Sequence, residues 1–353
     1  MSVICYDINN KDSGALPHQM NTESEETIMK KLLCMCLSLC LLLGCVSALA
    51  EVEQPKGYPK GVISWIIPSS AGGAADTFTR ALGNAGLGGN VVVENISGGS
   101  QSIGMSECFT RPADGQTLIT LSTTGLITMP LTSEVIYSAD DFRYLTKLAN
   151  DSVGVAVTRP DSELETADQL WDLLNGDREY TVGVSSIGGH SHVEFAHALM
   201  QMGKYDKATF VVYKGSNGVM QAVQNGEVEF GLMDDNYIVP YVNNGELRAL
   251  MTLYSDRTPL LPDVKAMAEY GIEGLAPLAG VKIVAVRKDT PDDIVEWIKQ
   301  QVNATILSDE YQQFLITSGA GAMTVIPTEE EITQWVADAT ASWDAVLTEA
   351  GLK

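Results

Sequence analysis

From residue 62 onward, short β-branched runs alternate with stretches whose apolar positions recur every three to four residues. Val62–Ile67 is an apolar-rich run ended by Pro68 and the small-residue loop Ser69–Ala75, after which Asp76–Leu82 has helical periodicity. Val91–Glu94 reads as a strand, Ser97–Gly104 as a glycine-rich loop, Ile103–Phe109 as the start of a helix, and Thr117–Leu121 as a third strand. The pattern then restarts. Strands are expected at Val153–Val157, Tyr180–Val184, Thr209–Tyr213, Val228–Met233, Leu247–Leu253 and Val281–Val286. Helices are expected at Thr166–Leu174 with Thr166 as cap, from the Ser185–Ser191 loop through Met200, at Val219–Gln224 and at Ile238–Asn243. The last 60-odd residues read as helical, with Pro291 at one helix start and Glu329–Leu347 forming another. Repeated strand–loop–helix units predict an α/β chain with mainly parallel sheets. With no long linker or repeat, two such units suit a bilobed protein whose ligand cleft lies where strand ends meet helix N-termini. The expected division places one lobe at residues 56–152 and 254–353 and the other at 153–253.

The first 50 residues do not belong to this pattern. Met29-Lys30-Lys31 precedes an apolar run from Leu32 to Leu43, which is the order of a secretory leader spanning 29–50 and is too short for the ~20 residues that span a bilayer. Residues 1–28 are polar and read as an over-long start ahead of Met29. Two cleavage readings stay open. Leu42-Leu43-Gly44-Cys45 has the form of a lipobox, which would lipidate Cys45, whereas Ala48-Leu49-Ala50 fits ordinary cleavage before Glu51. Both export the protein to the periplasm or the outer face of the cytoplasmic membrane. Five of the six cysteines fall in the first 50 residues and leave Cys108 alone, so neither a disulfide framework nor a cysteine zinc site is expected.

Composition narrows the class of partner. The 353 residues carry 45 Asp and Glu against 22 Lys and Arg, a formal net charge of −23. Residues 1–50 hold five acids and three bases, so the chain beyond them is still at −21. Nucleic acid and anionic membrane surfaces are excluded as partners because both require a basic face. A small anion is not excluded, since N–H groups at a helix start outweigh a distant net charge.

Four loops carry candidate chemistry. Ser69, Ser70, Gly72, Gly73 and Asp76 lie between a strand and a helix, either as an anion loop or as a tight turn with Asp76 in the first helical turn. The loop lacks the phosphate-loop Lys-Ser/Thr and the G-x-G-x-x-G spacing. Ser185, Ser186, Gly189 and His190 occupy the equivalent place in the second unit. His190 and His192 are two apart rather than i,i+4, and Gly-x-Ser-x-Gly is absent, so metal and Ser/His catalysis are set aside. Asp234 and Asp235 end a strand, as helix cap, acid/base pair or acceptor of a ligand ammonium. Ser122 and Thr123 end the third strand as cleft wall or cap. Neither principal loop contains a base, so attraction of an anion is expected to rest on backbone dipoles rather than on Lys or Arg.

Taken in order, these residues resemble a family. Gly72-Gly73-x-x-Asp76, Val92-Val93-Glu94-Asn95, Gly98-Gly99, Ile103-Gly104 and Asp114-Gly115-x-Thr117-Leu118 are similar to the solute-binding proteins of tripartite tricarboxylate transporters, the Bug family. The likeness continues through Tyr213-Lys214-Gly215-Ser216, Asn225-Gly226-Glu227-Val228, Gly245-Glu246-Leu247-Arg248-Ala249-Leu250, Arg257 and Leu261-Pro262-Asp263-Val264, and so covers essentially all of the mature chain.

The resemblance implies a monomeric extracytoplasmic receptor of the type II, Venus-flytrap periplasmic-binding-protein fold, with no catalysis and no cofactor. It would hold a small organic carboxylate between the loops Ser69–Asp76 and Ser185–His192 and deliver it to one large and one small membrane subunit. The family's aromatic is replaced around Ser69 and Ser70, which implies a more polar and roomier pocket. Ile187 and His190 also depart from the pattern, and the Phe-Asp-Asn strand end becomes Met233-Asp234-Asp235-Asn236, leaving open which acid fills the usual place. Two other readings compete with it: the sensing subunit of a signalling system, and an enzyme using His190 and His192 with Asp234 and Asp235.

Overall fold

The computed structural model describes residues 52–353 apart from Asn84, so the expectations for the leader and for Cys45 lie outside the described residues. Two five-stranded sheets organise the chain. The first contains β1 (Ile63–Ile67), β2 (Val91–Asn95), β3 (Thr117–Ser122), β4 (Phe142–Lys147) and β10 (Lys282–Arg287), in the order β2-β1-β3-β10-β4. The second contains β5 (Gly154–Thr158), β6 (Tyr180–Val184), β7 (Ala208–Val212), β8 (Phe230–Asp234) and β9 (Arg248–Thr252), in the order β7-β6-β8-β5-β9. Each sheet with its helices forms one lobe of an α/β, two-lobed fold.

The sheets are mixed, not mainly parallel. β1 pairs in parallel with β2 and β3, and β6 with β7 and β8. However, β10 runs antiparallel to β3 and β4, and β5 antiparallel to β8 and β9. The reason lies in the connections. β5 and β10 are the first strands after the chain crosses from one lobe to the other, so they enter at the end where β3 and β8 finish. The crossings run side by side, with Ser152 and Gly280 exchanging two backbone hydrogen bonds of 2.8 and 2.9 Å and Leu148 N–H donating to Lys282 O at 2.9 Å.

Nine helices flank the sheets among the described residues, besides shorter turns. They are α1 (Ala74–Ala81), α2 (Ser102–Thr110), α3 (Ala167–Asn175), α4 (His190–Gln201), α5 (Gly215–Asn225), α6 (Asp235–Asn243), α7 (Asp292–Ile306), α8 (Asp309–Thr317) and α9 (Glu329–Glu349). Thr166 caps α3 as expected: its hydroxyl accepts from Gln169 N–H, and Gln169 reaches back to the Thr166 amide, an arrangement worth about 1 kcal/mol.

Both sheet faces are covered. Trp65, Leu118 and Val284 pack with Phe78 of α1, Trp297 of α7 and Leu315 of α8. In the second lobe, Val155 and Val157 pack with Val219 and Val223 of α5. A third apolar cluster joins the lobes, because α9 lies against both β4 and α4 and buries Ile332, Val336 and Trp343 there. No helix among the described residues is long and apolar enough to cross a membrane.

Candidate functional site

A cavity of about 480 Å³ lies between the lobes. From the first lobe it is lined by Gly72, Gly73 and Ala74 at the start of α1, together with Phe78 and Ser318; from the second by Lys214–Asn217 at the start of α5 and by Asp234, Asn236 and Tyr237. Two helix N-termini on different lobes thus share one cavity. Each leaves its first amides without helical acceptors and carries a partial positive charge.

The first loop is built around Asp76. Gly72 has φ +79°, a conformation that L side chains rarely adopt, and its N–H donates to Asp76 Oδ2 at 2.8 Å. Asp76 Oδ1 accepts from Arg80 Nε at 2.8 Å and Asn95 Nδ2 at 2.9 Å. Burial alone would raise the Asp76 pKa, but the Gly72 amide, Asn95 and Arg80 outweigh it and hold the carboxyl below its ordinary range. Asp76 therefore shapes the loop from behind, and both of its oxygens are occupied by protein donors. Ser70 O accepts from Gly73 N–H at 3.3 Å, while Ser69 has a buried hydroxyl with no partner among the described residues.

The second expected loop meets the site differently. Ser185 is exposed, Ser186 folds back onto Gly189, and none of Ser185, Ser186, Gly189 or His190 lines this cavity. Gly188 instead bridges the lobes, its carbonyl accepting from Thr128 Oγ1 at 2.9 Å. Ser122 donates to Gln101 Oε1 at 2.6 Å and Thr123 is buried, so neither lines the cavity.

His190, first residue of α4, reaches the cavity wall through Asp234, with Nε2 and Oδ1 3.1 Å apart. Its ring lies flat against the second crossing, where a Cβ on Gly280 would sit 2.9 Å from Nδ1. Burial pulls the His190 pKa down, but the Asp234 carboxylate, helped by Glu194, carries it up to about 9. Burial in turn pushes Asp234 up, yet His190 and Lys282 keep it below the ordinary carboxylate range. Behind this pair, fully buried Glu194 accepts from Gly154 N–H at 2.9 Å, and burial raises it to about 8.

The two acids that end β8 separate. Asp234 lines the cavity, whereas Asp235 turns inward to accept from Thr258 Oγ1 at 2.7 Å and from its neighbour's amide at 2.8 Å. His192 is buried edge-on to Phe210, with Nδ1 accepting from Gly188 N–H at 3.2 Å. No group of His, Cys, Asp and Glu among the described residues has metal-site geometry.

The expectation of a cavity without bases is corrected. Lys214 lines the cavity as the N-cap of α5, and no acid among the described residues pairs with it. It was missed because α5 begins at Gly215, four residues before the apolar signal at Val219. Lys282, whose ammonium donates to Ser152 Oγ at 2.9 Å and lies 5.4 Å above the Phe78 ring, was missed as an ordinary strand residue.

Known proteins agree with this architecture. Residues 79–352 match the model of the TctC family, the tripartite tricarboxylate transporter family receptors. The protein BugT of Bordetella pertussis is 27% identical over 327 residues, covering 89% of this chain and 98% of BugT. The structure of Rpa4515 of R. palustris with adipate superposes with a TM-score of 0.71 at 23% identity, covering 83% of this chain and 98% of that one. MatC of Rhodopseudomonas palustris with bound malate gives 0.69 at 19% identity, covering 82% and 100%. The family and these neighbours are solute-binding receptors, and the chain belongs to the tripartite tricarboxylate transporter receptor family.

Proposed function

We propose that this chain is an exported receptor that closes its two lobes around a small organic carboxylate and delivers it to a membrane transporter of one large and one small subunit. The observation that carries this reading is the shared cavity, where the N-termini of α1 and α5 and the unpaired Lys214 converge from opposite lobes. Such a site attracts an anion despite the protein's net charge, because amide dipoles and one ammonium act at contact distance while the surface acids are screened beyond about 8–10 Å. Malate and adipate in structural neighbours support the ligand class.

In this reading the lobes move about the paired crossings at Ser152 and Gly280, and the expected boundary at 253/254 shifts to the second crossing, because Thr258 bonds Asp235 and Lys265 bonds Asp168 of the second lobe. Gly72, Gly73, Lys214 and Asp234 face the ligand, and the chain performs no chemistry on it. Export follows from the leader at 29–50, with Cys45 as the lipid-bearing residue if the lipobox is used. Calorimetric titration of the purified protein with mono-, di- and tricarboxylates tests the proposal. Saturable binding to at least one of them is expected; no heat and no thermal shift with any would overturn it.

A further inference from the structure

Asp234 is the one acid among the described residues that line the cavity. Its surroundings differ on its two sides. His190 approaches one oxygen from the start of α4, held against the crossing at Gly280, at 3.1 Å. The other oxygen has no hydrogen-bond or ion-pair partner among the described residues, and the side chain keeps 28% of its exposure. An ionised carboxylate only accepts hydrogen bonds. Elsewhere in the same cavity the one charged group is the Lys214 ammonium, set beside the amides that start α1 and α5, and the other polar side chains, Thr77, Ser216, Asn217, Asn236, Tyr237 and Ser318 among them, are neutral. The cavity therefore has an anion-attracting part and a fixed acceptor.

From this polarity, and resting on the carboxylate-receptor reading above, we infer that the ligand is an amino or hydroxy acid whose ammonium or hydroxyl donates to Asp234 while its carboxylate meets the Lys214 side. A plain dicarboxylate fits this arrangement less well. It offers no donor to the free oxygen of Asp234, whereas a hydroxyl or an ammonium on the same carbon skeleton does. His190 fixes the orientation of Asp234 and partly balances its charge, so the acid persists in the cleft without a ligand. Asp234 is thus a selector between ligands of similar length.

Calorimetry on the full chain at pH 7 tests this with two matched series: succinate, malate and aspartate, then glutarate, 2-hydroxyglutarate and glutamate. At least one amino or hydroxy acid should bind tenfold or more tightly than its plain counterpart. Asp234→Ala should reduce that ratio to threefold or less by weakening the substituted acid, and Asp234→Asn, which keeps the shape and an acceptor oxygen, should lose the ammonium preference while retaining part of the hydroxyl preference. If plain dicarboxylates bind as well as the substituted acids, or if both variants keep the wild-type ratio, the inference is overturned and the receptor reading stands. If no carboxylate binds at all, both are overturned. Should Asp234→Ala fail to fold, the isosteric Asp234→Asn decides alone.

Discussion

The amide of Gly72 donates to the carboxylate of Asp76 across a 2.8 Å hydrogen bond, so the turn that opens α1 is closed by the side chain of the helix's own first turn. Asp76 is 4% exposed and has Arg80 and Asn95 on its other oxygen, which makes it the structural centre of a loop that otherwise consists of small residues. Asp76→Ala should destabilise the protein by about 1–3 kcal/mol in urea unfolding, because three donors lose a charged acceptor. It should also weaken ligand binding more than tenfold by loosening the loop. The Asp76 contribution is present above the ordinary carboxyl range and is lost as pH falls through its depressed folded pKa, so the wild type and the variant should converge in stability in acid.

Gly73→Val tests the approach of the backbone to the ligand. Gly73 has an ordinary φ of −74°, and an added Cβ would lie 3.3 Å from Ser70 O, a tight but tolerable contact. Folding should cost no more than about 1 kcal/mol, in line with N-cap substitutions. Carboxylate binding should fall below detection in the same sample. Wild-type affinity with an unchanged melting curve would remove this loop from the site.

Lys214→Gln should weaken carboxylate binding about 5–10-fold with little change in melting temperature, since the side chain is exposed and pairs with no acid among the described residues. The affinity of the variant should also depend less steeply on salt. Titrations at low and high ionic strength check both effects, and equal salt slopes would count against a role for the ammonium.

His190 and Glu194 impose a pH dependence of the opposite sign from Asp76. Burial disfavours protonated His190, and Lys282 adds to this, but Asp234 and Glu194 outweigh both, and the net result is about 9 against an ordinary 6.5. The stability this contributes is fully present below about pH 6.5 and is lost as pH rises through about 9. Glu194, at about 8 against 4.5, works in the same direction because the unfolded chain releases its proton first. Thermal melts between pH 6.5 and 9.5 should show the wild type losing stability faster than His190→Gln. Parallel curves would mean that the pair does not titrate in this range.

Much of the fold is visible in local pattern. Ile63–Ile67 and Tyr180–Val184 are compact apolar-rich runs with clear stops, and the Thr166 cap is visible as Thr-x-x-Gln. β4 is not, because Arg143 and Lys147 interrupt an otherwise apolar segment. The antiparallel insertion of β5 and β10 could not be read either, since strand direction depends on which end of the sheet the chain enters. At the site, the first loop is legible from its glycines, while Lys214 hides in a helix start without apolar periodicity. The ambiguity between Asp234 and Asp235 is inherent in a strand end: neighbouring side chains point to opposite sides, and both residues are acids.

The placement of β10 also sets an order of assembly. Every strand of the second sheet comes from the contiguous stretch 154–252, so that lobe can complete its hydrogen bonding once its own residues are available. The first sheet cannot. β4 is separated from β3 by β10 and pairs only with it, so it stays unpaired until a strand encoded well beyond the other lobe arrives to fill the gap. Closing so long a loop is slow and leaves apolar edges open meanwhile. During refolding, amides of β8 should gain exchange protection before those of β3 and β4. The lobe that starts first along the chain is the one finished last.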